Sequence, residues 1–284
     1  MHPLKYPRSC LFLRGLNSSP PTDMPGFFEI VVLFAVACLA GGMNAVAGGG
    51  TILTFPTLLA FGMPSIQANA TSTLALLVGI IGSLYGYRNH LAAAKPWLKN
   101  FAPASIAGGL LGAWLLTWTN EKFFDQLVPF LILFATVLFL LNDVFRRLAG
   151  IEAVAAGKRP HAAGTTAAVI LQFGVSVYGG YFGAGIGILM LATIGLLGLH
   201  HIHEMNAIKT VLASLINIVA AAYFVFAGLV IWPQAVAMAL GATLGYYLGS
   251  HMAQKTSQHQ VRNIVGIIGV SLSLVFFWRE FLAR

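Results

Sequence analysis

GGMNAVAGGGTILTFPTLLAFGMPSIQANATST, Gly41 to Thr73, decides how the rest of this chain is read. It joins an apolar run to three consecutive glycines, a short apolar segment, a Pro-Ser-Ile-Gln link and a cluster of Asn, Ser and Thr. Glycines make a poor helix interior, each costing about 1 kcal/mol relative to alanine. A helix entering from Phe27 therefore breaks at Gly48-Gly49-Gly50. The segment that follows, Thr51 to Met63, has 13 residues. As a helix it spans roughly 20 Å, short of a hydrocarbon core of about 30 Å. Pro56 adds a further irregularity.

The stretch recurs at an offset of 137 residues, as YGGYFGAGIGILMLATIGLLGLHHIHEMNAIKT, Tyr178 to Thr210. Gly185 and Gly187 answer Gly48 and Gly50, and Asn206, Ala207 and Thr210 answer Asn69, Ala70 and Thr73. The same register carries Pro96 onto Pro233, Gly108 onto Gly245, Gly112 onto Gly249 and Phe139 onto Phe276. Small apolar residues match by chance in such a chain, but an Asn, a Thr and a Pro in one register mark an internal duplication. The chain divides into a tail, 1–26, a first repeat, 27–145, a connecting loop, 146–164, and a second repeat, 165–284. The tail reads either as a disordered extension or as the result of a misassigned start, with Met24 the true first residue. Its apolar run Cys-Leu-Phe-Leu is too short for a signal-peptide core.

With 58% hydrophobic and 8% charged residues among 284, and a mean hydropathy of +0.82, the chain lacks the polar surface of a water-soluble body. It reads as an all-α polytopic membrane protein of two homologous halves. Its apolar runs are about 20 residues long, where membrane strands would be half that and alternate. Eight to ten hydrophobic segments are expected, two of them short and Gly-interrupted. The net charge of +8 would fit nucleic acid in a soluble protein. Here it fits loops facing anionic lipid and the attraction of an anion. The expected partners are the bilayer and a small anionic substrate, with no nucleic acid; homo-oligomerisation is left open. Cys10 and Cys38 offer neither a disulfide framework nor a metal motif. Hydrolase and ATPase signatures are absent, so no enzyme activity, catalytic residue, cofactor or metal is expected.

The halves are inverted if each broken pair returns the chain to the side it entered, and parallel if the pair makes one crossing. The distribution of Lys and Arg does not decide. Interrupted segments at matching positions favour inverted repeats.

Helix breaks at membrane depth are tolerated only where the freed backbone is buried in protein or lines a cavity. Residues just past a break form a helix N-terminus, whose N–H groups and dipole attract an anion. Gly48, Gly49, Gly50 and Thr51, with Ile52, hold that place in the first half, and Gly185 and Gly187, around Ile186 to Ile188, in the second. The competing reading is that these glycines serve close helix packing alone. Asn69, Ser72 and Thr73 stand at i, i+3 and i+4 and share a helical face, as do Asn206, Lys209 and Thr210. Lys209 reads as the ligand of a bound anion, with snorkelling to headgroups or an ion pair with Glu204 as the other readings. Asn44 joins the binding set as a weaker member, beside Thr54, Ser214 and Asn217; Gln172 and Ser176 are assigned to helix packing. His200, His201 and His203, with Glu204, read as a solvated link rather than a metal centre.

On GGMNAVAGGGTILTFPTLLAFGMP at Gly41 to Pro64, ANATSTL at Ala68 to Leu74, and YGGYFGAGIGIL with MNAIKTVLA in the second half, the chain resembles the TauE/SafE family of sulfite and sulfonate exporters. That family lies within the 4-toluene sulfonate uptake permease superfamily, and the similarity extends over about Phe27 to Phe277. The second half departs from the pattern, with Gly185-Ile186-Gly187 and Thr193 in place of a glycine triplet and a proline, and Lys209 where the first half has Ser72. The resemblance implies a secondary transporter of small sulfur-containing or related organic anions in the bacterial inner membrane. Joined to the anion site above, the expectation is an exporter working by alternating access around the two helix breaks. The rival readings are a passive anion channel and a membrane assembly factor that carries no flux.

Overall fold

The structure, a computed structural model, describes residues 25–46, 49–86, 91–141, 162–195, 202–252 and 258–282. Residues 1–24 of the tail, 146–161 of the expected connection, Gly48, His200 and His201 lie outside the described residues, as do the side chains of His203 and Glu204. The last three residues of the 146–164 connection are instead the first of a helix, Ala162–Tyr181. All regular structure among the described residues is helical. The first half gives α1 (Phe27–Val46), α2 (Thr51–Ala60), α3 (Ser65–Gly86), α4 (Leu91–Trp118) and α5 (Glu121–Leu140). The second gives α6 (Ala162–Tyr181), α7 (Ile186–Gly195), α8 (Ile202–Phe226), α9 (Trp232–Met252) and α10 (Gln258–Phe277), followed by a π turn, Trp278–Leu282. The 137-residue offset carries α5 onto α10 at both ends, and the other pairs agree to within a few residues.

Four stretches are long and apolar enough to cross a membrane, Phe27–Ala45, Trp97–Trp118, Glu121–Leu140 and Ala207–Phe226. At 10 residues each, α2 and α7 reach only about 15 Å. The helix α2 runs through Pro56 and closes on Gly62, whose φ of 84° lets Met63 N–H return to the Leu58 carbonyl. The helix α4 starts at Leu91, ahead of its apolar stretch, and takes in Lys95, Pro96 and Lys99. Hydropathy marks where a helix becomes greasy, not where its hydrogen bonds begin.

Glycines set the packing. Gly241, Gly245 and Gly249 of α9, spaced by four, lie on the backbone of Phe34, Cys38 and Gly42 of α1, also spaced by four, so the two helices run side by side in one direction. In the same way Gly108 and Gly112 of α4 sit on Phe173 and Val177 of α6. Small residues at this spacing let helix backbones approach closely, which lipid-embedded helices need because they gain no hydrophobic drive from associating. Each pair accepts a third parallel helix. Thr71 Oγ1 on α3 accepts from Ile231 N at 3.1 Å while Gly79 packs on Tyr246 of α9. Gly109 of α4 packs on Ile216 and Val219 of α8. The result is two three-helix bundles, α1/α3/α9 and α4/α6/α8, so each half lends its fourth helix to the other.

The bundles point opposite ways. Glu121 Oε1, at the start of α5 and just past the end of α4, accepts from Ser65 Oγ at 2.8 Å and Ile66 N at 3.1 Å, at the start of α3. The end of α3 and the start of α4 are joined by residues 87–90 alone. The remaining helices α5 and α10 pair antiparallel, with Ser273 Oγ donating to the Pro129 carbonyl at 2.8 Å and Gly266 against Leu140.

Candidate functional site

At the first break α1 ends at Val46, Gly49 takes φ 90°, and α2 begins at Thr51. Gly50 N donates to Asn44 Oδ1 at 2.6 Å. A Cβ on Gly50 would stand 2.7 Å from the Ala40 carbonyl oxygen and from Asn44 Nδ2, so the turn holds only glycine. Thr54 Oγ1 shares a 2.7 Å hydrogen bond with Ser72 Oγ and ties α2 to α3. At the second break α6 ends at Tyr181, and Gly183 and Gly185 take φ of 80° and 77°. Tyr178 Oη donates to the Ala184 carbonyl at 2.8 Å, and Asn69 Nδ2, from the first half, donates to the Tyr181 carbonyl at 2.9 Å.

Between the breaks lies a cavity of about 120 Å³. That is room for a few waters or a small anion, since a water's share of liquid volume is about 30 Å³. Asn44, Gly49, Thr51 and Thr73 line it from the first half and Gly185, Gly187, Lys209 and Thr210 from the second. The lining follows the duplication: Gly49 faces it with Ile186, Thr51 with Ile188, Thr73 with Thr210, and Ile80 with Asn217. Phe182, Ile186, Ile188 and Leu191 supply an apolar wall. Lys209 is half-buried and runs its stem past Gly187, where an added Cβ would lie 3.5 Å from Lys209 Cδ. A larger residue at 187 would crowd the stem.

Other expected members stand elsewhere. Asn69 is buried outside the lining, its amide spent on the Tyr181 carbonyl, and Ser72 is buried against Thr54. Their shared face with Thr73 is real, but it is wide enough that two of the three side chains meet α6 and α2 before they reach open space. Thr73 Oγ1 lines the cavity and donates to its own helix at the Asn69 carbonyl, 2.8 Å away. Gly50 turns its amide into Asn44, and Ile52 N and Ile188 N close turns onto the Gly49 and Gly185 carbonyls, so these three amides are not aimed at a ligand. Asn206 lies in α8 with its side chain outside the described residues. Gln172 packs as expected, its Nε2 donating to Ser105 Oγ at 3.0 Å. The residue passed over in sequence is Tyr246, which lines the cavity together with Asn44. Its counterpart at the repeat offset is Gly109, so the duplication carries no signal for it.

A family model described as Sulfite exporter TauE/SafE matches residues 33–276. The Escherichia coli K12 protein called probable membrane transporter protein YfcA is 30% identical over 250 residues, covering 85% of this chain and 87% of its own. A probable membrane transporter protein of Haemophilus influenzae is 27% identical, covering 87% of this chain and 94% of its own. The probable membrane transporter protein ORF9 of a Sinorhizobium species is 28% identical, covering 87% and 92%. No solved structure matches the chain.

Proposed function

This chain belongs to the sulfite exporter TauE/SafE family, and from that premise we propose that it is a secondary transporter exporting small sulfur-containing or organic anions across the bacterial inner membrane. It is a multi-pass membrane protein, and its relatives carry the name of membrane transporters. The reading of the two halves as inverted repeats is supported by helix direction: α1 and α3 run opposite to their counterparts α6 and α8, and α4 opposite to α9. Lys95, Lys99 and Arg262 stand in the helices that begin at the face where α3 ends, and the sequence joining the helix ends there contains Arg88, Arg146, Arg147, Lys158, Arg159 and Lys255, while Lys122 and Arg279 belong to helix ends at the other face. The positive-inside rule turns the first of these faces to the cytoplasm.

The observation that carries the reading is Lys209 reaching a cavity walled by both helix breaks. Lys209 and the first turns of α2 and α7 line one small space, and the lysine's charge and the two helix dipoles favour negative charge there, although several first-turn amides are already engaged within the breaks. Thr51, Thr73 and Thr210 surround that space with hydroxyls that orient the anion. The two glycine-packed bundles flank it and meet through α3 and α8, and rocking one against the other exposes the anion to each face in turn.

The test is counterflow of labelled sulfite in proteoliposomes, with unlabelled sulfite, sulfoacetate, taurine or acetate as trans-substrate. Saturable exchange by the native chain and its loss in Lys209→Gln are expected. A Lys209→Gln protein that folds and exchanges at the native rate overturns the assignment, and flux that stays linear in substrate and shows no exchange belongs to a channel.

A further inference from the structure

The cavity's two faces are closed by unequal means. Phe182 lines the cavity with one side and, with the other, joins an aromatic cluster. Its ring meets Phe55 of α2 edge-on at 5.3 Å and 90°, and Phe55 meets Phe124 of α5 at 6.3 Å and 73°. Phe124 continues to Tyr181 at 5.7 Å and 70°. The three phenylalanines are buried. Their partners at the repeat offset are Ala192, Val261 and Ala45, and that of Tyr181 is Asn44, so the duplication builds this cluster on one side only.

Its position is fixed by Glu121. That carboxylate joins the start of α5 to the start of α3, and Phe124 stands one turn further along α5, so the cluster lies toward the face where α3 begins. The lining residues Asn44, Ile80 and Tyr246 come instead from the later turns of α1, α3 and α9, toward the face that collects the basic residues. We propose that Phe55, Phe124 and Phe182 are the gate that shuts the cavity from the face where α3 begins, and that Glu121 is the positioning residue latching it. Edge-to-face rings make such a closure tight yet separable, because each contact is worth little alone and the rings share no covalent or ionic tie. Withdrawing the start of α5 takes Phe124 out of the cluster and leaves Phe182 free to turn. Tyr246 is the aromatic residue that lines the cavity toward the opposite face.

The inference rests on the transport reading, but its test does not need a carried anion, so the two fail separately. In a chain carrying Cys10→Ser and Cys38→Ala, Ala213→Cys on the cavity wall reports access to a membrane-impermeant maleimide, added to right-side-out or inside-out vesicles. Modification is expected from the basic face and to be slow from the other. Phe124→Ala should raise the slow rate roughly tenfold, the population shift expected from losing two or three ring contacts. Glu121→Gln, which keeps every ring, should raise it by a smaller factor, and serves if Phe124→Ala does not fold. Equal rates from both faces with the rings intact, or sided rates unchanged in folded gate variants, would overturn the proposal.

Discussion

The two helix breaks solve one backbone problem with different side chains. At the first, an asparagine takes up the freed Gly50 amide and a Thr54–Ser72 hydroxyl pair pins the short helix to α3. At the second, a tyrosine hydroxyl serves the Ala184 carbonyl, an asparagine from the other half serves the Tyr181 carbonyl, and the hydroxyl pair is replaced by Leu191 and Lys209. Lys209 lines the cavity, while Ser72, its counterpart in the first half, stays buried against Thr54. On the reading of two duplicated halves, the residues at the Thr54 and Ser72 positions differ between the breaks, and Lys209 brings its charge to one side of the cavity lining.

The scaffold common to both breaks should be the most sensitive point. A valine at Gly112 or Gly245 would drive Cβ into the backbone of Val177 or Cys38, and each should cost about 3 kcal/mol, the upper range for overpacking. Loss of folded protein on size-exclusion chromatography is expected for both, while Gly174→Ala, which meets nothing within 4 Å, should be neutral. If only one valine variant suffers, the bundles are not equivalent.

Next come the caps. Asn44→Ala leaves the buried Gly50 amide without its acceptor and should cost about 2 kcal/mol, whereas Tyr178→Phe keeps the ring against Phe134 and should cost about 1 kcal/mol. Melting temperatures in detergent rank them; the reverse order would mean that the second break depends on its hydroxyl more than the first on its amide. Smallest is the Thr54–Ser72 pair, where a double-mutant cycle through Thr54→Val and Ser72→Ala should give a coupling of about 1 kcal/mol. The same cycle through Leu191→Ala and Lys209→Met should give less, since those side chains share no hydroxyl pair.

Much of this was legible in sequence because glycine carries a backbone message that does not depend on neighbours. The triplet at Gly48 to Gly50 and the Gly-x-Gly at Gly185 announce breaks, and the offset between them announces two halves. Lys209, Thr210, Thr73 and Thr51, singled out because polar atoms near a break have few other employments in a membrane, line the cavity. Asn69 and Ser72 were placed in the cavity wrongly, since helical periodicity tells which residues share a face but not which helix that face meets. The exchange of α4 and α9 between halves was invisible for the same reason, although the glycine spacings that drive it, Gly108 to Gly112 and Gly245 to Gly249, were in plain view. The aromatic cluster escaped notice because Phe55, Phe124 and Phe182 are far apart along the chain and have no aromatic counterparts at the repeat offset.

The most direct test of the shared, singly charged hollow is the thermal shift of purified protein against sulfite, sulfate, thiosulfate, sulfoacetate and taurine, run on the native chain, Lys209→Gln and Ser72→Ala. A bound anion stabilises the fold by mass action. The native chain and Ser72→Ala should be stabilised by the same anion, and Lys209→Gln should need roughly ten to a hundred times more of it, the worth of one charge-assisted hydrogen bond. Equal stabilisation of Lys209→Gln and the native chain at the same concentration would contradict the account.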